Sequence, residues 1–242
     1  MNDFATPKDS IALVTGANKG IGKEIARQLA DAGLTVYVGS RDAGRGEAAA
    51  AELGGRPLVL DVTDERSIAE AARQVGSLDI LVNNAGIMVD GANPAEAGVE
   101  SFRRTYETNV FGVLAVTNAF LPALRRSLRP RIVNVSSGTA SLTWSSDPER
   151  EFALAGGSGA AYRSSKAALN AVTLYYAQTL AADGFKVNAL APGLRRTGLN
   201  ERAATSDGDP AEAARGAVRL AFLPDDGPTG RFFSWDGTDV PW

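Results

Sequence analysis

Apolar segments of strand length alternate with longer segments of helical periodicity along this 242-residue chain. The first strand is predicted at Ile11 to Thr15, and a helix from about Ile21 to Ala32 separates it from a second strand at Thr35 to Gly39. The same periodicity predicts further strands at Pro57 to Asp61, Asp79 to Asn83, Arg131 to Ser136, Phe185 to Ala191 and Arg231 to Ser234. Because strands separated by helices pair in parallel, the pattern predicts an α/β fold, with a doubly wound parallel sheet of about seven strands and helices on both faces.

Two stretches of loop character follow predicted strands, at Thr139 to Ser158 and Leu194 to Asp209. In an open parallel sheet the ligand crevice lies at the carboxyl ends of the strands. We therefore expect these two loops to shape a substrate pocket.

The length fits a single domain, predicted to span residues 1–242. The chain has no cysteine and no histidine. This composition excludes disulfides, thiol chemistry, histidine-centred catalytic triads and most zinc or iron ligand sets. Carboxylates, hydroxyls, lysines and arginines remain for any chemistry, and no metal site is predicted.

The formal net charge of −3 argues against a general nucleic-acid-binding surface. A local basic cluster at the end of a predicted helix is expected to complement the helix dipole and to stay solvated; it consists of Arg125, Arg126, Arg129 and Arg131. No segment approaches the ~20 apolar residues of a membrane helix, and Met1 to Asp9 does not resemble a signal peptide. We therefore expect no membrane partner and a cytoplasmic location.

A glycine-rich turn joins the first strand to the first helix and reads Thr15-Gly16-Ala17-Asn18-Lys19-Gly20-Ile21-Gly22. Gly16 permits the tight turn, Gly20 lets the backbone approach a pyrophosphate, and Gly22 lets helix and strand pack closely. The helix N-terminus then faces the anion. This turn predicts a cofactor that carries phosphates, and a sheet of the Rossmann type. The alternative is an ordinary glycine turn between a strand and a helix.

Further motifs follow along the chain: Asn83-Asn84-Ala85-Gly86 after the fourth strand, Asn109 in a helix that begins near Val99, Ser137 after the fifth strand, Tyr162-x-x-x-Lys166 at the start of a long helix, and Pro192-Gly193 with Thr197. In this order and spacing the chain resembles the short-chain dehydrogenase/reductase family from Ser10 to Trp242. The segment Asn134 to Gly138, the long gap before Tyr162 and the aromatic C-terminal segment resemble the carbonyl-reductase-like branch.

Tyr162 and Lys166 are four residues apart, so on a helix they share one face. Lys166 could then place its ammonium group beside the Tyr162 hydroxyl, and a nearby cation is expected to lower the pKa of that hydroxyl. Tyr162 is therefore a candidate acid or base. The alternative for this pair taken by itself is a packed tyrosine beside an exposed lysine.

The family resemblance implies catalytic roles for Asn109, Ser137, Tyr162 and Lys166. Ser137 would bind the substrate oxygen, Tyr162 would donate or accept its proton, Lys166 would hold the ribose hydroxyls, and Asn109 would order a water in the proton path. The implied function is an oxidoreductase that reduces an aldehyde or ketone, or oxidises the alcohol. Of the neighbouring polar residues, Ser136 and Asn134 are expected to be structural, because side chains alternate along a strand.

The cofactor-binding residues expected from the turn and the resemblance are Gly16, Asn18, Lys19, Gly20, Ile21, Gly22, Arg41, Asp61, Val62, Asn83, Ala85, Gly86, Tyr162, Lys166, Pro192, Gly193 and Thr197. Ser40 stands where NAD-preferring relatives carry an acidic residue, whereas Arg41 and Lys19 can attract a 2′-phosphate. We therefore expect NADP(H), with NAD(H) as the alternative if Arg41 is merely solvated. Asp61 and Val62 should lie against the adenine, and Asp61 is also a candidate cap of the following helix.

Ser137 and Tyr162 are 25 positions apart, a longer interval than in most members of the family. The additional segment, which contains Trp144 and Phe152, could cover the pocket or obstruct the helix pairing used for oligomers. Monomer, homodimer and tetramer therefore all stay open. Arg195 and Arg196 are expected to be solvated, with contact to an anionic substrate or a cofactor phosphate as the alternative.

Two other functions stay open at this point. One is a non-catalytic interaction protein that senses NADP(H), since a fold alone does not establish chemistry. The other is the same chemistry on an imine or an activated double bond, which would leave every cofactor motif unchanged. The sequence does not identify the small-molecule substrate or the direction of the reaction.

Overall fold

The computed structural model describes residues 10–242, so the interpretation of Met1 to Asp9 lies outside the described residues. The strands are β1 (Ile11–Val14), β2 (Thr35–Ser40), β3 (Arg56–Val59), β4 (Ile80–Asn83), β5 (Arg131–Val135), β6 (Lys186–Ala191) and β7 (Phe232–Ser234). The α-helices are α1 (Gly20–Asp31), α2 (Ala43–Leu53), α3 (Glu65–Gln74), α4 (Val99–Tyr106), α5 (Gly112–Leu124), α6 (Leu142–Ser146), α7 (Glu151–Leu154), α8 (Ala160–Thr179), α9 (Glu201–Ala204) and α10 (Pro210–Ala221).

The strands form one seven-stranded sheet in the order β3-β2-β1-β4-β5-β6-β7. All neighbouring strands in this sheet pair in parallel. β1 lies in the middle of the sheet, the next two strands extend to one edge at β3, and the chain then returns beside β1 to build the other half. This arrangement confirms the predicted doubly wound parallel sheet. The reversal of direction between β1 and β4 creates a crevice at their carboxyl ends.

Both faces of the sheet are buried under helices, which is why its strands read as continuous apolar runs. In β1, Ala12 and Val14 pack into one core, and Leu13 packs into the other. Ile25 of α1 belongs to the first core, whereas Phe120 of α5 belongs to the second, and both are fully buried. The two cores fix the strand ends that carry the polar motifs.

The two predicted loops contain short helices, and in this respect the sequence prediction was wrong. The stretch after β5 folds into a 3₁₀ turn, α6 and α7, and the stretch after β6 contains α9. Ser141 caps α6 by accepting a hydrogen bond from Trp144 N at 3.1 Å, and Asn200 caps α9 through Ala203 N at 2.8 Å. Helices of four or five residues are too short to produce a periodic apolar pattern.

The basic cluster after α5 is only partly solvated. Arg125 and Arg129 form surface ion pairs with Asp183 at 3.2 Å and Asp225 at 3.0 Å. Arg131, however, is 2% exposed and donates to the carbonyl of Leu223 and to Asp225. The prediction that Arg131 is solvated was therefore wrong. No helix within residues 10–242 is long and apolar enough to cross a membrane.

Candidate active site

The glycine-rich turn lies at the carboxyl end of β1 and leads into α1. Gly16 and Gly20 have φ angles of 63° and 56°, a region that glycine adopts without steric cost. A Cβ atom at Gly16 would lie 3.1 Å from Cα of Ala85, so the turn packs directly on the segment after β4. Lys19, at the N-cap of α1, forms no side-chain capping hydrogen bond. The first backbone N–H groups of α1 are thus suited to a phosphate.

Asn84 holds this turn in place, and the sequence prediction missed it. Its side-chain Nδ2 donates to the carbonyls of Thr15 at 2.9 Å and Gly16 at 3.3 Å. The Thr15 hydroxyl in turn accepts hydrogen bonds from the backbone N–H groups of Asn84 and Ala85, each at 3.0 Å. Gly22 packs so closely on the side-chain amide of Asn84 that a Cβ atom at this position would collide with it. The motif Asn83 to Gly86 was the available signal, but spacing alone does not reveal which asparagine binds the turn.

The side chain of Asn83 lies in a buried polar network. Its Nδ2 donates to Oδ1 of Asn134 at 2.8 Å and to the Thr117 hydroxyl at 3.1 Å. Nδ2 of Asn134 donates to the Thr173 hydroxyl at 2.9 Å. This chain of bonds ties β4 and β5 to α5 and α8, in keeping with the structural role expected for Asn134. A cofactor contact of Asn83 would therefore involve its backbone.

Ser137 and Tyr162 lie together at the carboxyl end of β5. Ser137 follows β5, and its hydroxyl is hydrogen-bonded to the Thr139 hydroxyl at 2.8 Å. Tyr162, in the first turn of α8, is partly buried, and its hydroxyl lies near enough to Ser137 for the serine to influence its pKa. Ser136 points the other way, is 1% exposed and donates to Oδ1 of Asn170 at 2.6 Å. The geometry thus separates the two serines as the strand alternation predicts.

Lys166 lies one turn after Tyr162 and is 4% exposed. Its Nζ donates to the carbonyl of Val135 at 2.7 Å and lies 5.9 Å from the centre of the Tyr162 ring. Burial lowers the pKa of the Lys166 ammonium to about 8. Burial also raises the pKa of the Tyr162 hydroxyl to about 12, against the opposite effect of its hydrogen bond with Ser137. The expected lowering of the Tyr162 pKa by Lys166 was therefore wrong, because desolvation of the buried hydroxyl dominates the shift.

The buried ammonium of Lys166 leads to a prediction about stability. Below pH 8 the lysine is charged in the folded and unfolded states, and its burial lowers the free energy of unfolding. Between pH 8 and about 10.5 only the unfolded state keeps the proton, so stability rises with pH, by up to about 3 kcal/mol. Urea unfolding of the wild type and Lys166→Met at pH 7 and pH 10 measures this change. We expect the free energy of unfolding to increase more from pH 7 to pH 10 in the wild type than in Lys166→Met. An equal change in both proteins would contradict this prediction.

Asn109 lies beside Lys166 in a π-helical turn, Glu107–Phe111, that joins α4 to α5. It is fully buried, accepts from Ile87 N and donates to Ile87 O, both at 2.9 Å, and donates to the Ser165 hydroxyl at 3.0 Å. A Cβ atom at Gly86 would lie 3.3 Å from both Asn109 Oδ1 and Lys166 Nζ. Asn109 thus fixes the segment after β4 against α8. Ser165 was missed in the sequence because a serine inside a helix carries no distinctive pattern.

The cluster combines two neighbouring hydroxyl groups, a buried ammonium group and a buried amide at the carboxyl ends of the strands. Two hydroxyl donors can bind an oxygen on which negative charge develops, and one of them can transfer a proton to it. The adjoining glycine turn and uncapped helix α1 fit the phosphates of a nucleotide. Within residues 10–242, no group of three or more acidic residues could hold a metal ion.

The family model for the short chain dehydrogenase matches residues 10–207. The chain belongs to the short-chain dehydrogenase family. It is 38% identical over 224 residues to the short-chain dehydrogenase anuI of Penicillium roqueforti (strain FM164), with 87% of this chain and 88% of the relative covered. It is 34% identical over 293 residues to salutaridine reductase of Papaver bracteatum, with 92% and 93% covered. These matches confirm the family resemblance found in the sequence.

Solved structures agree with this assignment. An NADPH-bound carbonyl reductase from chicken fatty liver superposes with a TM-score of 0.83 at 27% identity, covering 97% of this chain and 100% of the other. A 3-ketoacyl-(acyl-carrier-protein) reductase from Brucella melitensis, complexed with NADH, superposes with a TM-score of 0.80 at 27% identity, covering 94% and 96%. This short-chain dehydrogenase is an oxidoreductase of a family that binds NAD(P)H.

The end of β2 in this short-chain dehydrogenase presents an exposed arginine. Arg41 is exposed, and the ion pair at this place, within residues 10–242, is formed by Arg45 and Asp42. Ser40, just before it, is 2% exposed and donates to the carbonyl of Asp42 at 2.8 Å. The Asp42 carboxylate caps α2 by accepting a hydrogen bond from Arg45 N at 2.9 Å. It also forms an ion pair with the Arg45 guanidinium at 2.9 Å. The Lys19 ammonium lies instead near the loop after β6, so Arg41 is the better placed cation for a group beside β2.

Asp61 and Val62 follow β3. Asp61 accepts from Thr63 N at 3.0 Å and from the Thr63 hydroxyl at 2.8 Å, which closes a local turn. Asp64 is the residue that caps α3. The interpretation of Asp61 as the helix cap was therefore wrong, because the cap lies three residues later in the chain. Val62 is 9% exposed, and its carbonyl leaves no room for a side chain at Gly112, so the turn packs closely on α5.

The loop after β6 brings Thr197 to the glycine turn. A Cβ atom at Gly20 would lie 3.4 Å from Cγ2 of Thr197. Gly193, with φ of 70°, packs against Trp235 and Arg195. Arg195 is 8% exposed, lies 4.3 Å from the Trp235 ring centre and pairs with Glu212 at 3.4 Å. The expectation that Arg195 is solvated was wrong, because it anchors this loop to α10 and to the segment after β7.

Proposed function

We propose that this short-chain dehydrogenase is an NADP(H)-dependent oxidoreductase of the carbonyl reductase type, which reduces an aldehyde or ketone or oxidises the alcohol. The observation that supports this most is that Tyr162, one helical turn before the buried Lys166, lies near the Ser137 hydroxyl at the carboxyl end of β5. The names of the relatives, which include reductases and dehydrogenases of small molecules, agree with a small-molecule substrate. No nucleic-acid or membrane partner is part of this proposal.

The Tyr162 hydroxyl supplies the proton in the direction of reduction. Its pKa of about 12 keeps it protonated at neutral pH, so it is a donor when a carbonyl oxygen gains charge. Ser137 donates a second hydrogen bond to the same oxygen and stabilises the developing charge. The nicotinamide cofactor, when bound, supplies or accepts the hydride. In the direction of oxidation Tyr162 must first lose its proton, so oxidation is favoured only at high pH.

Lys166 and Asn109 position the groups around this proton. Lys166 Nζ already donates to the Val135 carbonyl, and an ammonium has further donors for the ribose hydroxyls of the nucleotide. Asn109 holds the Ile87 backbone on one side and Ser165 on the other. Asn109 thereby orients the segment after β4. We also propose that Asn109 contacts an ordered water in the proton path.

The nucleotide itself fits the carboxyl ends of β1, β2, β4 and β6. The glycine turn, with Asn18 and Ile21 beside its glycines, would receive the pyrophosphate. Val62 would lie against the adenine, and Gly86, Pro192 and Gly193 would border the nicotinamide. The structural support is the close packing of Gly16, Gly20 and Gly22, at which added side chains would meet neighbouring atoms.

The substrate assay that tests the function follows NADPH consumption against aldehydes, ketones, quinones and cyclic imines, beside NADH. Turnover of a carbonyl compound that prefers NADPH supports the proposal. Turnover of the imines alone indicates the alternative chemistry at a carbon–nitrogen double bond. Tight NADPH binding without turnover of any compound indicates a nucleotide-sensing protein, and contradicts the proposed function.

The preference for NADP(H) leads to a prediction at Arg41. Because its guanidinium is exposed and its position follows β2, we expect Arg41→Ala to weaken NADPH binding about tenfold and NADH binding less than about twofold. Dissociation constants from fluorescence titration at one ionic strength measure both. Arg104→Ala removes another exposed arginine, from α4, and serves as the charge-matched control. Equal weakening for NADPH and NADH would contradict the role of Arg41.

Two features stay predictions alongside this function. The chain is expected to act as a single domain over residues 1–242 and to be located in the cytoplasm. Its oligomeric state stays open between monomer, dimer and tetramer, and size-exclusion chromatography with light scattering measures it directly.

A further inference from the structure

The segment between Ser137 and Tyr162 carries a pair of stacked aromatic rings. Trp144 of α6 and Phe152 of α7 lie with ring centres 6.0 Å apart and an interplanar angle of 26°. Both side chains are partly buried, so each ring keeps some exposed surface. The pair is set apart from the two main cores of the sheet, although Trp144 also touches the small cluster around Phe232.

These rings lie directly against the residue that follows Ser137. A Cβ atom at Gly138 would lie 3.4 Å from the Trp144 ring and 3.4 Å from the Phe152 ring. The two rings thus lie at van der Waals distance from a Cβ atom at Gly138, beside the backbone that follows Ser137. Because Ser137 and Gly138 are adjacent, the rings border the segment that presents the Ser137 hydroxyl.

The ring pair is held in place from the catalytic helix. Nη2 of Arg163, the residue after Tyr162, donates to the Phe152 carbonyl at 3.0 Å and to the Ser145 hydroxyl at 3.1 Å. In the first turn of α6, the Thr143 N–H and hydroxyl donate to the Trp242 carbonyl at 3.2 Å and 2.8 Å. The segment is therefore tied to α8 and to the C-terminal residue.

The cation that touches the ring surface is already engaged. The Arg150 guanidinium lies 4.7 Å from the Trp144 ring centre and pairs with Asp147 at 3.6 Å. The guanidinium therefore covers part of the Trp144 ring, whereas no cation–π contact involves the Phe152 ring within residues 10–242. The uncovered ring surface is apolar and flat and can take offset stacking with another ring.

We propose that Trp144 and Phe152 form one wall of the substrate pocket and select uncharged carbonyl compounds that carry a ring close to the reacting carbon. This assignment rests on the proposed function, since it names the substrate class of the same site. The wall determines specificity and takes no part in proton transfer. Its removal therefore changes which ketone is preferred, mainly through KM.

The experiment compares acetophenone with methyl hexyl ketone, an open-chain ketone of similar size, as substrates with NADPH. For Phe152→Leu we expect the ratio of the two kcat/KM values to shift about tenfold away from acetophenone, mostly through a higher KM. Leu154→Ala is the matched control, because Leu154 lies in the same short helix and is 77% exposed. The ratio should not change in this control. An unchanged ratio in Phe152→Leu, with the variant folded by circular dichroism, overturns the wall.

If no ketone is turned over, a binding measurement still tests whether Trp144 and Phe152 form a wall of the substrate pocket. Acetophenone is titrated into the NADP⁺-bound wild type, and quenching of tryptophan fluorescence is recorded. We expect quenching in the wild type and its loss in Trp144→Leu. Quenching without turnover contradicts the proposed function but supports the wall. Turnover of acetophenone without any difference in quenching between the two proteins overturns the wall and leaves the proposed function intact.

Discussion

Replacing Tyr162 with phenylalanine should lower kcat for carbonyl reduction by about 10²- to 10⁴-fold and leave the NADPH dissociation constant within about twofold. The variant loses only the hydroxyl, which is the proposed proton donor and lies near Ser137. It keeps the ring beside Lys166, whose Nζ is anchored independently on the Val135 carbonyl. Cofactor binding and proton transfer should therefore separate. Steady-state kinetics with the best ketone of the panel and fluorescence titration with NADPH measure the two quantities.

The same helix offers a matched control for this substitution. Tyr176 lies in α8, and its hydroxyl donates to Oδ1 of Asn118 at 2.7 Å, away from Ser137 and Lys166. Tyr176→Phe should lose about 1 kcal/mol of stability and keep its kcat. If Tyr162→Phe turned over ketones as fast as Tyr176→Phe, another group would have to supply the proton. Loss of NADPH binding in Tyr162→Phe would indicate a structural role for the hydroxyl.

The fold was predictable because a parallel sheet buried on both faces leaves a strong local signal. Apolar runs such as β1 and β6 are bounded by turn residues and separated by helices long enough to show their own period. Pairing in parallel then follows from the length of the connections. The order of the strands was less accessible, because it depends on which helix covers which face.

The contacts that complete the site join residues far apart in the chain, and local patterns do not contain them. The backbone N–H of Asn84 binds Thr15 across 69 positions, and Arg131 reaches Asp225 across 94. From the local sequence, Arg131 and Arg195 were expected to be solvated. Their partners lie far away in the chain, and the local sequence does not reveal them. The family motifs indicated Ser137, Tyr162, Lys166 and Asn109, but the Tyr162 pKa depends on burial, which motifs do not report.

Gly22→Ala is the other substitution with a large expected effect. A Cβ atom at Gly22 would lie 2.6 Å from the Gly16 carbonyl oxygen and still closer to Nδ2 of Asn84. Neither group can yield easily, since the two are hydrogen-bonded to each other and Asn84 also holds Thr15. Either the amide leaves the turn or α1 moves away from β4. Overpacking of this kind costs about 1–3 kcal/mol of stability. Because it deforms the glycine turn, we expect NADPH binding to weaken by about 10- to 100-fold.

Urea unfolding and NADPH titration of Gly22→Ala test this expectation beside Gly76→Ala. Gly76 follows α3, has no positive φ angle, and has no atom within 4 Å of an added Cβ. The control therefore adds the same methyl group without a collision and should keep both stability and NADPH affinity. If Gly22→Ala also kept both, the turn would have to relax freely, and the close contact of α1 with Asn84 could not be what shapes the nucleotide site. If stability fell while NADPH affinity stayed, the contact would support the fold alone, and the pyrophosphate would have to bind elsewhere than on this turn.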